Sequence, residues 1–224
     1  MANIQVYKGV STVRRETADG GYIPARGTRD GAIFSADWYD SLVLEGRVFI
    51  AYTGTGATAV AFAGAFDADA GDLAIDIPDG IIAIPLYINA VQSTSSAGTC
   101  ECIAVASSTL VAATAGQYTA VTAKNMRIDQ PIKSKSTCYG SVAAAQMTSP
   151  YAGDYFEFYR SGYPTNNVTS TAPTPTYEWS ARKNGPPPII VDGGSLTIYL
   201  AAEGATSTGF ITAIWAELPE SFIK

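Results

Sequence analysis

The sequence predicts an all-β protein folded as one sandwich or barrel, and three observations carry that expectation. Ten segments read as strands, each bounded by Gly, Pro, Asp or Ser/Thr clusters at near-regular spacing. Several alternate cleanly: Leu196, Ile198 and Leu200 face one way and Thr197 and Tyr199 the other, the period of an antiparallel strand with one buried face. No segment has the length and periodicity of a helix able to carry a domain. A chain of 224 residues fits one large β domain and buries about 70% of its unfolded surface, so stability needs neither a disulfide framework nor a structural metal.

In chain order the expected strands are 47–52 (RVFIAY), 58–66 (TAVAFAGAF), 72–77 (DLAIDI), 81–91 (IIAIPLYINAV), 99–106 (TCECIAVA), 154–160 (DYFEFYR), 177–181 (YEWSA), 188–191 (PIIV), 196–201 (LTIYLA) and 210–218 (FITAIWAEL). Pro85 cannot donate to a ladder, which places its strand at an edge or puts a bulge there. In 154–160, Phe156 and Phe158 face the core and Tyr155, Glu157 and Tyr159 face outward. Short helical turns are expected at 37–42 and at 141–147, the second capped by Ser141. Segments 84–106 and 196–216 resemble each other, each reading as strand, small polar loop and strand, and are expected to be equivalent hairpins in the two halves of a Greek-key sandwich. Residues 1–30, with Arg14, Arg15, Gly20, Gly21, Pro24 and Gly27, lack apolar periodicity and read as an extended arm ahead of a domain over 31–224. Residues 162–175 read as an exposed polar loop, with a glycosylation sequon at Asn167 that no secretion signal supports.

Only 15% of residues are charged, against a norm of about 25%. Low charge suits a chain whose surface is largely used against copies of itself. The net charge of −6 sits in the middle of the chain: residues 48–123 hold no Lys or Arg but carry Asp67, Asp69, Asp72, Asp76, Asp79 and Glu101. A nucleic-acid groove needs clustered Lys and Arg to displace counterions, so nucleic-acid binding is not expected. The first residues have no apolar signal region, and the longest apolar run is too short to span a bilayer, so a cytoplasmic origin and no membrane association are expected.

The chain has no His, which removes the commonest general base and the usual nucleophilic triads; no nucleophile elbow, Walker loop or dinucleotide fingerprint appears either. No enzymatic activity is expected. Cys100 and Cys102 share one strand face, and with Cys138 they read as small hydrophobes rather than metal ligands. Two constellations remain. The segment FDADAGDLAIDIPDG spaces carboxylates as a calcium site would, with Asp67, Asp69 and Asp72 the candidate ligands, although it lacks the terminal Glu and flanking helices of an EF-hand; the plainer reading is a solvated turn, with no cofactor. The aromatic group Tyr151, Tyr155, Phe156, Phe158, Tyr159, Tyr163 and Trp179, beside Arg160 and Asp154, suits a subunit contact, a sugar platform or part of the core.

The C-terminal third resembles viral jelly-roll structural proteins, especially those of tailed and marine bacteriophages. The residues that carry the likeness are the Pro-rich lead-in GPPPIIV, the turn Asp192, Gly193 and Gly194, the strand LTIYLAA, a Ser/Thr/Gly loop and the final strand FITAIWAELP. The resemblance implies a single jelly roll of two four-stranded antiparallel sheets, self-association as trimers or pentamers within a virion, contacts with other virion proteins, and an arm reaching onto a neighbour. The arm, with five basic and three acidic groups in residues 1–30, departs from the strongly basic arms that contact RNA. The interface candidates on this reading are Arg14, Arg15, Tyr155, Tyr159, Tyr163 and Trp179. The expected function is a capsid shell or capsid-bound decoration subunit; the alternative is the receptor- or carbohydrate-binding head of a phage tail fibre.

Overall fold

The computed structural model describes residues 37–56, 58–62, 64–95, 100–129, 132–163, 175–202 and 207–222. The expected arm, with Arg14 and Arg15, and the sequon at Asn167 lie outside the described residues. The chain divides into two units, Met1–Leu42 and Val43–Lys224. Of the first, only the start of helix α1 (Trp38–Leu44) is described; there the Ser41 N–H donates to the Asp37 carbonyl at 2.9 Å.

The second unit is built from antiparallel strands: β1 (Val48–Tyr52), β2 (Val60–Phe62), β3 (Leu73–Asp76), β4 (Ile81–Ser95), β5 (Cys100–Ser107), β6 (Thr119–Val121), β7 (Lys124–Asn125), β8 (Thr137–Gly140), β9 (Tyr155–Tyr163), β10 (Thr176–Ser180), β11 (Ile190–Val191), β12 (Ser195–Ala202) and β13 (Ser207–Pro219). One sheet runs β10-β4-β13-β1-β7, with β11 also beside β4 and β2 beside β13; the other runs β6-β8-β3-β12-β5-β9. Setting aside the two-residue β11, the three-residue β2 and the strands β6, β7 and β8 that lie between β5 and β9 leaves eight. Among these the first pairs with the last (β1 with β13), the second with the seventh (β3 with β12), the third with the sixth (β4 with β10) and the fourth with the fifth (β5 with β9). That nesting is a long hairpin rolled onto itself, and it defines a jelly-roll sandwich.

The interior forms because strand alternation sends Leu73 and Ile75 of β3, Leu196, Ile198 and Leu200 of β12, and Phe49 of β1 to the same space, where all are buried. Trp215 of β13 stacks on Phe49 with ring centroids 6.3 Å apart. The two look-alike segments are not hairpins. β4 pairs with β13 and β5 with β12, so each segment crosses between sheets and finds its partner strands in the other segment. The polar loops expected to close hairpins therefore join strands of opposite sheets. Pro85 lies in a central strand, not at an edge. It falls at the bulge between Ile214 and Trp215 on one side, and between the stretches paired by β11 and β10 on the other, where no ladder needs its missing N–H.

Residues 108–154, between β5 and β9, contain the structure that the strand pattern did not announce. They add β6 and β8 to the edge of one sheet and β7 to the edge of the other. They also cover the outer face of the six-stranded sheet. Val111, Val142 and Met147 join Ala74, Ile103, Val105 and Tyr199 in a second buried cluster, flanked by Tyr118, Tyr139 and Tyr151. No helix forms at 141–147: Ser141 and Ala145 take left-handed φ values of 47° and 57°, and Ser141 donates its N–H to the Asp72 carbonyl instead of capping a helix.

Candidate interaction surfaces

Of the acidic candidates, Asp67 is engaged in a local turn and Asp72 is held across the sheet. Asp67 Oδ1 accepts the Asp69 N–H at 3.0 Å and its carbonyl accepts the Ala70 N–H at 3.1 Å, closing an Asx-type turn. Asp72 is buried against β12, where its Oδ2 accepts the Leu200 N–H at 2.7 Å. Among the described residues, no group of three or more His, Cys, Asp or Glu side chains is placed to hold a metal ion. Asp76 accepts the Val111 and Ala112 N–H groups at 2.8 and 3.0 Å and so fastens the start of the 108–154 excursion to β3. Burial is the largest influence on its carboxyl and raises its pKa above the ordinary value, against the lowering effect of those bonds and of Tyr139.

A bulge in β9 splits the expected aromatic group between two faces. The register passes from Ala104↔Tyr159 to Val105↔Glu157, so Phe158 is the extra residue. Phe158 meets Trp179 edge to face at 4.9 Å; Trp179 is a core residue, 2% exposed, and not the surface anchor expected of it. Tyr159, opposite inward-facing Ala104, lies on the interior side rather than the outer one. Burial is the largest influence on its hydroxyl and raises its pKa above the ordinary value. The outer group is Tyr155, Tyr151, Phe66 and Tyr199: Tyr151 lies 4.6 Å from Tyr155, and Phe66 lies 5.0 Å from Tyr199. Tyr151 donates to Glu157 at 3.0 Å, and Arg160 bridges Glu101 and Glu157 at 3.2 Å each. Tyr155 is exposed there, and Phe156, expected in the core, is exposed as well. The Tyr163 side chain lies outside the described residues.

Two apolar surfaces escaped the sequence reading. The first surrounds β7. Asn125 donates from Nδ2 to the Gly46 carbonyl at 2.8 Å and to the Ile132 carbonyl at 3.0 Å, and Arg127 donates to the Leu44 carbonyl at 2.7 Å. These bonds gather Leu44, Met126, Ile128 and Ile132, all exposed. Glu217, at the end of the sandwich interior, holds the next stretch: it accepts from the Ser134 hydroxyl, from the Lys135 N–H at 2.8 Å and from the Ser136 hydroxyl at 2.7 Å. The second surface is at β11, where Ile189 and Val191 are exposed beside Asp79 and Asp192. The available signal was weak. MRIDQPIK alternates apolar and charged residues without reading as a strand, and Ile189 falls within 188–191, which reads as a strand.

On the β1 flank, a cleft of about 390 Å³ lies between the chain after β1 and β6, its lining including Thr53, Thr55, Val60, Thr119 and Val121; Lys124 donates to the Tyr52 hydroxyl at its rim, 2.6 Å away. No helix among the described residues is long and apolar enough to cross a membrane. No protein-family model, curated protein or solved structure matches the chain.

Proposed function

We propose that this chain is a structural subunit that assembles with copies of itself, as the shell-forming or capsid-bound decoration protein of a virus particle. The observation that carries the reading is the placement of large exposed apolar side chains at the two edges of one sheet, near β7 and at β11, in a domain with few surface charges. An isolated domain gains nothing from exposed isoleucines grouped at its flanks; a subunit that meets neighbours there buries them. Jelly rolls serve as shell subunits because a sandwich presents broad flanks for lateral contact while its loops remain free. The measurement is light scattering with negative-stain imaging of the full chain at tens of micromolar. Discrete oligomers, shells or sheets are the expected result; a monodisperse monomer would count against the proposal.

One observation favours a second reading, the receptor- or carbohydrate-binding head of a tail fibre. Tyr155 stands exposed on the face of β9 that carries the Glu101–Arg160–Glu157 ion group, a combination of a ring and paired charges that suits a sugar. A glycan array separates the two, since specific binding lost in Tyr155→Ala would support the fibre head.

A further inference from the structure

The geometry points to a head-to-tail contact between copies, in which the β7 edge of one subunit receives the β11 edge of the next; the inference rests on the self-assembly proposed above and names its surfaces.

Both edges belong to the same end of the same sheet. Val191 pairs with Ile82 and Ile82 with Leu218, while Val48 pairs with Ala216 and Phe49 with Asn125. The order across that end is therefore β11, β4, β13, β1, β7. Four interstrand steps of about 4.8 Å set the edges about 19 Å apart. Both carry apolar side chains that stand out from the fold: Ile128 is 100% exposed and Ile132 48% at one edge, and Ile189 is 55% exposed and Val191 41% at the other.

Their charges are opposite. Around β7, residues 124–135 hold Lys124, Arg127, Lys133 and Lys135 against Asp129 alone; Arg127 is paired with Asp129 at 2.8 Å, and Lys133 and Lys135 are exposed. At β11, Asp79 and Asp192 are exposed, and Asp192 Oδ1 accepts the Gly80 N–H at 3.0 Å, which joins the two turns into one acidic rim. The basic residue nearest in sequence, Lys183, is paired with Glu178 at 2.6 Å. An apolar patch with a basic rim opposes its own copy and complements the acidic one. Two like edges meeting about a two-fold axis would bring lysine to lysine or aspartate to aspartate. The complementary pairing is heterologous, and because the surfaces lie on opposite flanks, repeating it yields a closed ring or a continuing row.

The heterologous pairing has a signature that an isologous one lacks. Ile128→Asp disables the β7 edge and leaves β11 intact; Ile189→Asp does the reverse. The full-length wild type and both variants are followed by sedimentation velocity, with far-UV circular dichroism and urea midpoints to confirm the fold, which neither substitution should disturb at such exposed positions. Each variant alone is expected to associate at least 10-fold more weakly than wild type, as for a charge placed in an interface centre. Mixed one to one, they should form dimers and nothing larger, because only one functional edge pair remains. If the wild type assembles and both variants assemble equally well, or if the mixture stays monomeric, the head-to-tail contact is wrong while self-assembly stands. If the wild type itself is monomeric, the underlying proposal fails first. Should either aspartate variant lose its fold, Lys133→Glu and Asp79→Lys probe the same two edges: each alone should associate more weakly than wild type, and mixing them should restore larger oligomers, because the two reversed edges complement each other as the native ones do.

Discussion

The outer faces of the two sheets start from similar sequence and end differently. On the six-stranded sheet, the outward residues Ile103, Val105 and Tyr199 are buried beneath residues 108–154, so β12 is buried along its whole length. On the seven-stranded sheet, the outward residues Phe210, Thr212 and Ile214 of β13 stay half-buried and alternate with a buried inner set. Each strand shows the same period of two. The difference comes from an excursion of the chain elsewhere, and it teaches that alternation assigns a residue to a face but not that face to solvent.

The largest expected effect is at Tyr199. It is 2% exposed, packs on Phe66 and Tyr151, and donates its hydroxyl to the Ala68 carbonyl at 2.9 Å. Tyr199→Ala should cost about 3–5 kcal/mol in urea unfolding, the scale of an aromatic lost from a true core. Ile214→Ala, on the other outer face, should cost about 1 kcal/mol, since half its environment is already open. Equal costs would show that residues 108–154 lie on the sheet without forming a second core.

Glu217 comes next. With Asp76, it is one of two buried carboxylates that hold the excursion, Asp76 at its start and Glu217 where it returns towards β8. Glu217 also accepts the Trp215 indole N–H at 2.9 Å. Glu217→Ala leaves several donors without an acceptor and should cost about 2–3 kcal/mol, as measured by chemical denaturation. It should also weaken assembly, because residues 132–136 support the β7 edge.

What the sequence disclosed follows the same division. Val48–Tyr52, Ser195–Ala202 and Ser207–Pro219 were legible because their pattern and their burial have one cause, a strand packed on a core. The strands Thr119–Val121, Lys124–Asn125 and Thr137–Gly140 were not; two to four residues cannot display a period, and partners distant in sequence hold them in place. The jelly-roll nesting was reached through a likeness of texture, while the two similar segments were mistaken for hairpins because local resemblance does not specify which strand pairs with which. The surface candidates fared worst. Trp179 and Tyr159 were assigned by aromatic character, and a single bulged residue, Phe158, reversed the facing of the residue that follows it.

A smaller effect concerns Asp76 and pH. Its folded pKa is raised above 3.8, so the folded state binds the proton more tightly than the unfolded chain does. Its contribution therefore falls as the pH climbs from about 4 through the folded value, and is constant beyond it. Asp76→Asn cannot ionise. The variant should be less stable throughout, because its amide cannot accept both the Val111 and Ala112 N–H groups, but the gap from wild type should narrow as the pH rises through that window. A gap independent of pH would mean that Asp76 ionises as freely in the fold as outside it.

The smallest effect tests how tightly the excursion closes. All three thiols are buried; burial pushes Cys138 up to about 12 and raises Cys102 as well. At pH near 8, neither should form thiolate in the folded state, and a thiol-specific disulfide reagent should react with the protein only as it opens. The two sites differ in what opening requires. Cys102 lies on β5, between β12 and β9, and exposing it needs most of the sandwich to come apart. Cys138 lies on the four-residue strand β8, paired with β3 and β6 and preceded by the stretch that Glu217 holds. Local release of that stretch would expose Cys138 alone. Cys138 is therefore expected to react first, at a rate that Glu217→Ala increases and that varies less with global stability than that of Cys102. Simultaneous reaction of both would make the excursion and the sandwich one cooperative unit, and the distinction between roofed and open faces would then carry no dynamic consequence.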